Sequence, residues 1–262
     1  MHERDVDIDD LVSASRRTAS AVTAGPVART LIRWFMHSAT VTSVQPLSHR
    51  FRLLELHSDA FKTAAFTCGQ KLQILVGQGL TSRTYTPVRW DQSRGTASIL
   101  VYTHDDAGPG GRWGDTVASG DTCQVFGPRN ALTLASLPAP LVLLGDETSF
   151  GQAVSLREAA LHAGGAVAPR HVFEVASVEE AEQVLQALGL EAVALLSRAP
   201  DDAHLVQADS HLRAWAAQDC AFVLTGRSAF IQRMRRQLKT LNVLSNRIVA
   251  KVHWAPGRKG LD

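Results

Sequence analysis

From about residue 38 onward, hydrophobic and polar positions alternate with a period of two, the spacing that sends successive side chains to opposite faces of an extended strand. Ala39–Val44, Arg50–His57, Lys71–Val76, Arg83–Arg89, Thr96–Tyr102 and Thr122–Phe126 follow this rhythm, each bounded by Gly, Pro, Ser or Asp. Six short strands so closely spaced predict an antiparallel six-stranded β-barrel. The interruption at Gly110–Val117 leaves room for one short helix.

Around Ala135-Ser136-Leu137-Pro138-Ala139-Pro140 the composition becomes that of a linker, and the rhythm changes. Leu141–Leu144 is a continuous apolar strand. A helix from about Ser149 to His162 follows, with Ala153, Leu156, Ala160 and Leu161 spaced to face inward. Strand-like His171–Ala176, Ala192–Leu196, Ala221–Leu224 and Arg247–Trp254 then alternate with helical Val178–Leu188, Leu205–Ala217 and Ala229–Leu241. Such alternation implies parallel pairing through right-handed crossovers, and so a doubly wound α/β domain with ligands at the carboxyl ends of its strands. The expected division is a polar, acid-rich tail over residues 1–27, a barrel over 28–135, a linker over 136–140 and an α/β domain over 141–262.

Bulk properties narrow the function classes. With 262 residues, 45% hydrophobic and 20% charged, the chain has the make-up of a soluble globular protein. No apolar run approaches the ~20 residues that span a bilayer, and the start lacks the layout of a signal peptide, so a cytoplasmic protein without a membrane span is expected. The odd, widely separated Cys68, Cys123 and Cys220 form neither a disulfide framework nor a metal motif, and the ten histidines are scattered, so no protein-bound metal is expected. From Gly226 to the end nine Lys or Arg residues face one acid, Asp262. That charge attracts anionic ligands, and without a recognition motif or stacking array it does not indicate nucleic acid.

The chemistry is concentrated in Ser82-Arg83-Thr84-Tyr85-Thr86-Pro87-Val88-Arg89. On a strand Arg83 and Tyr85 share one face. Arg83 can pair with a phosphate through its planar fork, Tyr85 can lie against an aromatic heterocycle, and the Thr86 hydroxyl and N–H can reach a ring heteroatom. A flavin nucleotide meets all three requirements. Downstream come Thr103-His104-Asp105-Asp106-Ala107-Gly108-Pro109-Gly110-Gly111-Arg112-Trp113, then Gly127-Pro128-Arg129, then Gly145-Asp146-Glu147-Thr148. Glycines at 108, 110 and 111 permit close approach of backbone to a charged group. At the first strand-to-helix turn of the α/β half, Thr148 and the helix N–H groups are placed to meet phosphates, with Asp146 and Glu147 lining the cleft. The same residues suit a helix cap. Leu224-Thr225-Gly226-Arg227 brings Gly226 to the same crevice, and Arg227 beside Arg198 suits the extra phosphate of NADPH.

In this order the motifs resemble the siderophore-interacting branch of the ferredoxin–NADP reductase superfamily, over about residues 30–255. The resemblance implies FAD on the barrel, its diphosphate held by the segment containing Gly108, Gly110 and Gly111, with His104 and Trp113 as further contacts. It implies NADPH or NADH on the α/β half, at Gly145, Asp146, Glu147, Thr148, Gly226 and Arg227. Tyr85 and Thr86 would restrain the flavin, Thr86 by a hydrogen bond at N5. The implied activity takes hydride from NAD(P)H and passes single electrons to Fe(III) in a ferric siderophore, by a protein expected to be monomeric. A reductase serving an iron–sulfur protein or oxygenase, and a non-catalytic flavin- or siderophore-binding module, are the alternatives. Ser149-Phe150-Gly151-Gln152 and Thr225-Gly226-Arg227 depart from the family pattern, which has Ala-Leu-Pro-Ala and Ala-Gly-Glu at these places.

Overall fold

The computed structural model describes residues 36–76, 81–104, 109–134, 137–162, 164, 168–192 and 194–257; the tail expected over 1–27 lies outside them. Strands β1 (His37–Pro46), β2 (Phe51–His57), β3 (Gln70–Leu75), β4 (Ser82–Tyr85), β5 (Pro87–Asp91), β6 (Thr96–Tyr102) and β7 (Thr122–Asn130) form one antiparallel sheet, in the order β4-β3-β7-β1-β2-β6-β5. Helix α1 (Pro109–Thr116) interrupts it between β6 and β7. The two end strands, β4 and β5, are chain neighbours, so the sheet curls back on itself around a core that includes Val41, Leu54, Phe61, Leu72, Ile74, Ile99 and Val125.

There are seven strands rather than six because the segment Arg83–Arg89 divides at Thr86. Pro87 has no N–H to give a ladder. Before it, Ser82–Tyr85 pairs with β3; from it onward the chain pairs with β6.

The second sheet is wholly parallel. Strands β8 (Leu141–Asp146), β9 (Arg170–Val175), β10 (Ala194–Ser197), β11 (Ala221–Arg227) and β12 (Ile248–Trp254) stand in the order β10-β9-β8-β11-β12. Helices α2 (Phe150–His162) and α3 (Val178–Ala187) cover one face, and α4 (Val206–Ala216) and α5 (Ser228–Thr240) the other. The strand order reverses between β8 and β11, the switch point where such folds bind ligands. In α2 every residue from Phe150 to Leu156 is buried, as helical spacing predicts for Ala153 and Leu156. Leu161 instead stands in the last turn, past that buried run, and is 64% exposed.

The two sheets share a core. Phe51 of β2 stacks on Phe150 of α2 with ring centroids 5.5 Å apart, and Phe150 meets Phe173 of β9 edge-on at 4.8 Å. A polar clamp stands beside this stack. Glu180 of α3 accepts hydrogen bonds from Ser48 Oγ at 2.7 Å and from the N–H of Arg50 at 2.9 Å, and pairs with the Arg50 guanidinium at 2.6 Å.

Candidate functional site

Register and burial orient the barrel side of the crevice. Leu72 and Ile74 point into the barrel core, so Lys71 and Gln73 on the same strand point the other way. Gln73 lies opposite Thr84 on β4, and Lys71 opposite Arg129 on β7. The charge of Lys71 is felt at His253, near the end of β12, which places this polar face toward the α/β half. Thr86 continues the row of Thr84. A Cβ on Gly151, in the first turn of α2, would stand 3.1 Å from the Thr86 carbonyl oxygen. The strand with the flavin-like chemistry thus touches the first helix of the α/β half, next to its switch point.

Arg83, Tyr85 and Thr86 are each half-buried. Arg83 Nη1 donates to the Ser82 carbonyl at 2.8 Å, and no carboxylate pairs with it among the described residues. Tyr85 lies on the core side of the strand with Trp113 of α1, their ring centroids 6.1 Å apart. His104 is exposed and 6.4 Å from the Tyr102 ring. Gly108 lies outside the described residues, while Gly110 and Gly111 fall in the first turn of α1.

Two polar atoms that sequence reasoning missed lie on the crevice face. Gln73 Nε2 and Thr84 Oγ1 are buried and have no hydrogen-bond partner. A glutamine within the alternating Lys71–Val76 strand, on the face opposite Leu72 and Ile74, was the available signal. Unpaired buried groups are rare because each carries a desolvation cost of about 1–3 kcal/mol.

At the switch point, the turn after β8 caps itself. Asp146 accepts from the N–H groups of Thr148 and Ser149, and the Asp146 N–H donates to Ser149 Oγ. Two glycines make this possible. A Cβ on Gly145 would stand 2.4 Å from Ser149 Oγ, and one on Gly226, whose φ is +102°, would stand 2.5 Å from the Asp146 carboxyl carbon. Trp254, the last residue of β12, donates its indole N–H to Asp146 Oδ2 at 2.7 Å. The Thr148 hydroxyl lies 2.5 Å from Asp146 Oδ1 and 2.9 Å from His253 Nδ1. Burial and the neighbouring Glu147 push the Asp146 carboxyl up to about 7, and burial together with Lys251 and Lys71 brings His253 down to about 4. The Thr148 hydroxyl donates to Asp146 Oδ1, and the His253 ring, neutral at pH 7, stands within hydrogen-bond reach of the same hydroxyl.

Arg227 does not stand free beside Arg198. Its Nε and Nη2 grip both oxygens of fully buried Glu174 at 2.7 and 2.6 Å, and Nη2 also meets Asp202 at 2.6 Å. These hydrogen bonds raise its already high pKa against the opposing effect of burial. Arg198 Nη2 pairs with Glu147 at 2.5 Å, and its guanidinium lies 5.7 Å from the centre of the Trp254 ring. His204 Nδ1 accepts from the Ala199 N–H at 3.1 Å, so the ring is neutral and its Nε2 donates to Glu174 at 2.8 Å. Carboxylate and imidazole atoms of Glu174, Asp202 and His204 come within 4.8 Å of one another, a spacing that suits a cation, and the Arg227 guanidinium occupies that role. An acid inside the apolar stretch His171–Val175 was the legible signal for this cluster.

The structure thus sets Thr86 against the first turn of α2, next to the turn that holds Gly145, Asp146, Glu147 and Thr148 against Gly226, leaves Arg83 and Tyr85 on the core-side face of β4, and turns Arg227 inward. A curled antiparallel sheet joined to a doubly wound parallel one, with the crevice between them, is the two-domain fold of the ferredoxin–NADP reductase class. The same fold occurs in the siderophore-interacting protein SipS from Aeromonas hydrophila, with 20% identity over 86% of this chain and 93% of that one and a TM-score of 0.66. It occurs in a siderophore utilization protein from T. fusca, with 22% identity, coverage of 87% and 95% and a TM-score of 0.67. Phthalate dioxygenase reductase shares it at 17% identity, covering 86% of this chain and 70% of that one, with a TM-score of 0.68. No curated protein matches the chain in sequence. Residues 26–132 match the family model of the siderophore-interacting FAD-binding domain, which bears out the family resemblance read from the motifs.

Proposed function

We propose that the protein is an FAD-dependent reductase that accepts hydride from a nicotinamide dinucleotide at the interdomain crevice and delivers single electrons to a ferric siderophore. The observation that carries this reading is the contact between Thr86 and Gly151, which sets the flavin-type strand against the helix that follows the switch point. The residues present fit the cofactor. Arg83, with no acid paired to it among the described residues, can meet a phosphate, and on the same strand face Tyr85 packs with Trp113 as an aromatic patch. Gln73 Nε2 and Thr84 Oγ1 are unpaired polar atoms on the crevice face, and a heterocycle rich in carbonyl and imide groups would satisfy them. When bound, FAD supplies the hydride-accepting and single-electron-donating chemistry, so no side chain need act as a nucleophile. The chain's task is to align donor and acceptor and to keep water out, and the shared Phe51–Phe150–Phe173 core fixes the two crevice walls relative to each other. Lys71 and Arg129, register neighbours on the crevice face, place positive charge where an anionic ferric complex would approach.

Anaerobic addition of NADH or NADPH to the FAD-loaded protein is expected to bleach the flavin, and a ferric siderophore to restore the colour faster than ferredoxin does. Bleaching reversed only by ferredoxin would select the iron–sulfur reductase instead. Failure of both dinucleotides to bleach would select the binding module.

A further inference from the structure

We infer that the hydride donor is a nicotinamide dinucleotide without a 2′-phosphate, and that the acids around Arg198 and Arg227 discriminate against the phosphorylated form. This rests on the reductase reading above. In doubly wound folds a phosphorylated ribose is accommodated by an arginine, and an unphosphorylated one by an acid that accepts from its hydroxyl. The two arginines at the carboxyl ends of β10 and β11 are the ones a 2′-phosphate would need, and each is already neutralised. Arg227 is 7% exposed and shared between Glu174 and Asp202; Arg198 is held by Glu147.

The local sum of charge leads to the same conclusion. Asp146, Glu147, Glu174 and Asp202 are four acids, against Arg198 and Arg227, with His204 neutral by its hydrogen bonds. Even with Asp146 protonated, the three remaining acids of this cluster outnumber its two arginines. The turn donors at Thr148 and Ser149 that would meet phosphate are likewise occupied, by the Asp146 carboxylate. A 2′-phosphate adds about 1.5–2 negative charges at pH 7, as a phosphomonoester does elsewhere, and at this cluster would meet surplus acids and two arginines that are already paired.

The test is calorimetric titration of the FAD-loaded protein with NAD⁺ and with NADP⁺, alongside anaerobic bleaching by NADH and NADPH. The unphosphorylated form is expected to bind and to bleach at least tenfold more effectively. Higher salt should narrow the gap, because screening relieves repulsion. Asp202→Asn, at a partly exposed acid, should also narrow it in favour of NADP⁺. Equal or better performance by the phosphorylated form, or a gap that widens with salt, overturns the inference. If neither dinucleotide binds, the inference falls together with the donor half of the reductase reading, whereas retained flavin bands would show that the barrel half survives.

Discussion

Asp146 is held by two backbone N–H groups, a hydroxyl and an indole, yet it sits fully buried beside Glu147, and burial dominates its titration. Its carboxyl is pushed up from the ordinary value of 3.8 to about 7, so across that interval the folded protein holds a proton that the unfolded chain has lost. Its contribution to stability is complete below about pH 4 and is lost as pH rises through about 7. His171 and His253, both brought down to about 4 by burial, act in the opposite direction over an overlapping range. The informative quantity is therefore the difference between the protein and Asp146→Asn. In urea unfolding the variant should gain stability relative to the parent between pH 5 and pH 8; parallel pH profiles would contradict the assignment. The sequence placed Asp146 in the cleft, but not its self-capping role. That role depends on Gly226 and Trp254, which are distant in the chain and meet Asp146 only through strand order.

The helices and strands of the α/β half fall within a few residues of their expected bounds, since continuous apolar strands and 3.6-residue spacing report directly on a two-sided sheet. The break at Thr86–Pro87 was less legible: a proline after an alternating run marks an interruption without saying which strand the chain joins next. Partners of charged residues were least legible. Arg227 reads as a free phosphate ligand in the sequence and is an internal cation in the fold, because Glu174 and Asp202 converge on it from other elements. Helix α2 provides the energetic test at this scale. Phe150 is fully buried between Phe51 of the barrel and Phe173 of the parallel sheet, so Phe150→Ala should cost about 3–5 kcal/mol in urea unfolding. A loss under about 1 kcal/mol would mean that the two halves do not share a core.

For the molecule as a whole, the barrel supplies one crevice wall and the switch point the other, with the Glu180–Arg50 clamp and the phenylalanine stack holding them together. Among the described residues no helix is long and apolar enough to cross a membrane. The central claim is that Arg83, Tyr85 and Thr86 form part of an FAD site, and equilibrium titration of the purified protein with FAD, followed in the visible spectrum, tests it most directly. The account predicts saturable uptake of one FAD per chain with perturbed flavin bands, and at least tenfold weaker uptake by Arg83→Ala, as expected for loss of a charge-assisted contact of about 1.5–3 kcal/mol. A protein that shows no flavin bands and takes up no added FAD, or an Arg83→Ala variant that binds as tightly as the parent, would contradict it.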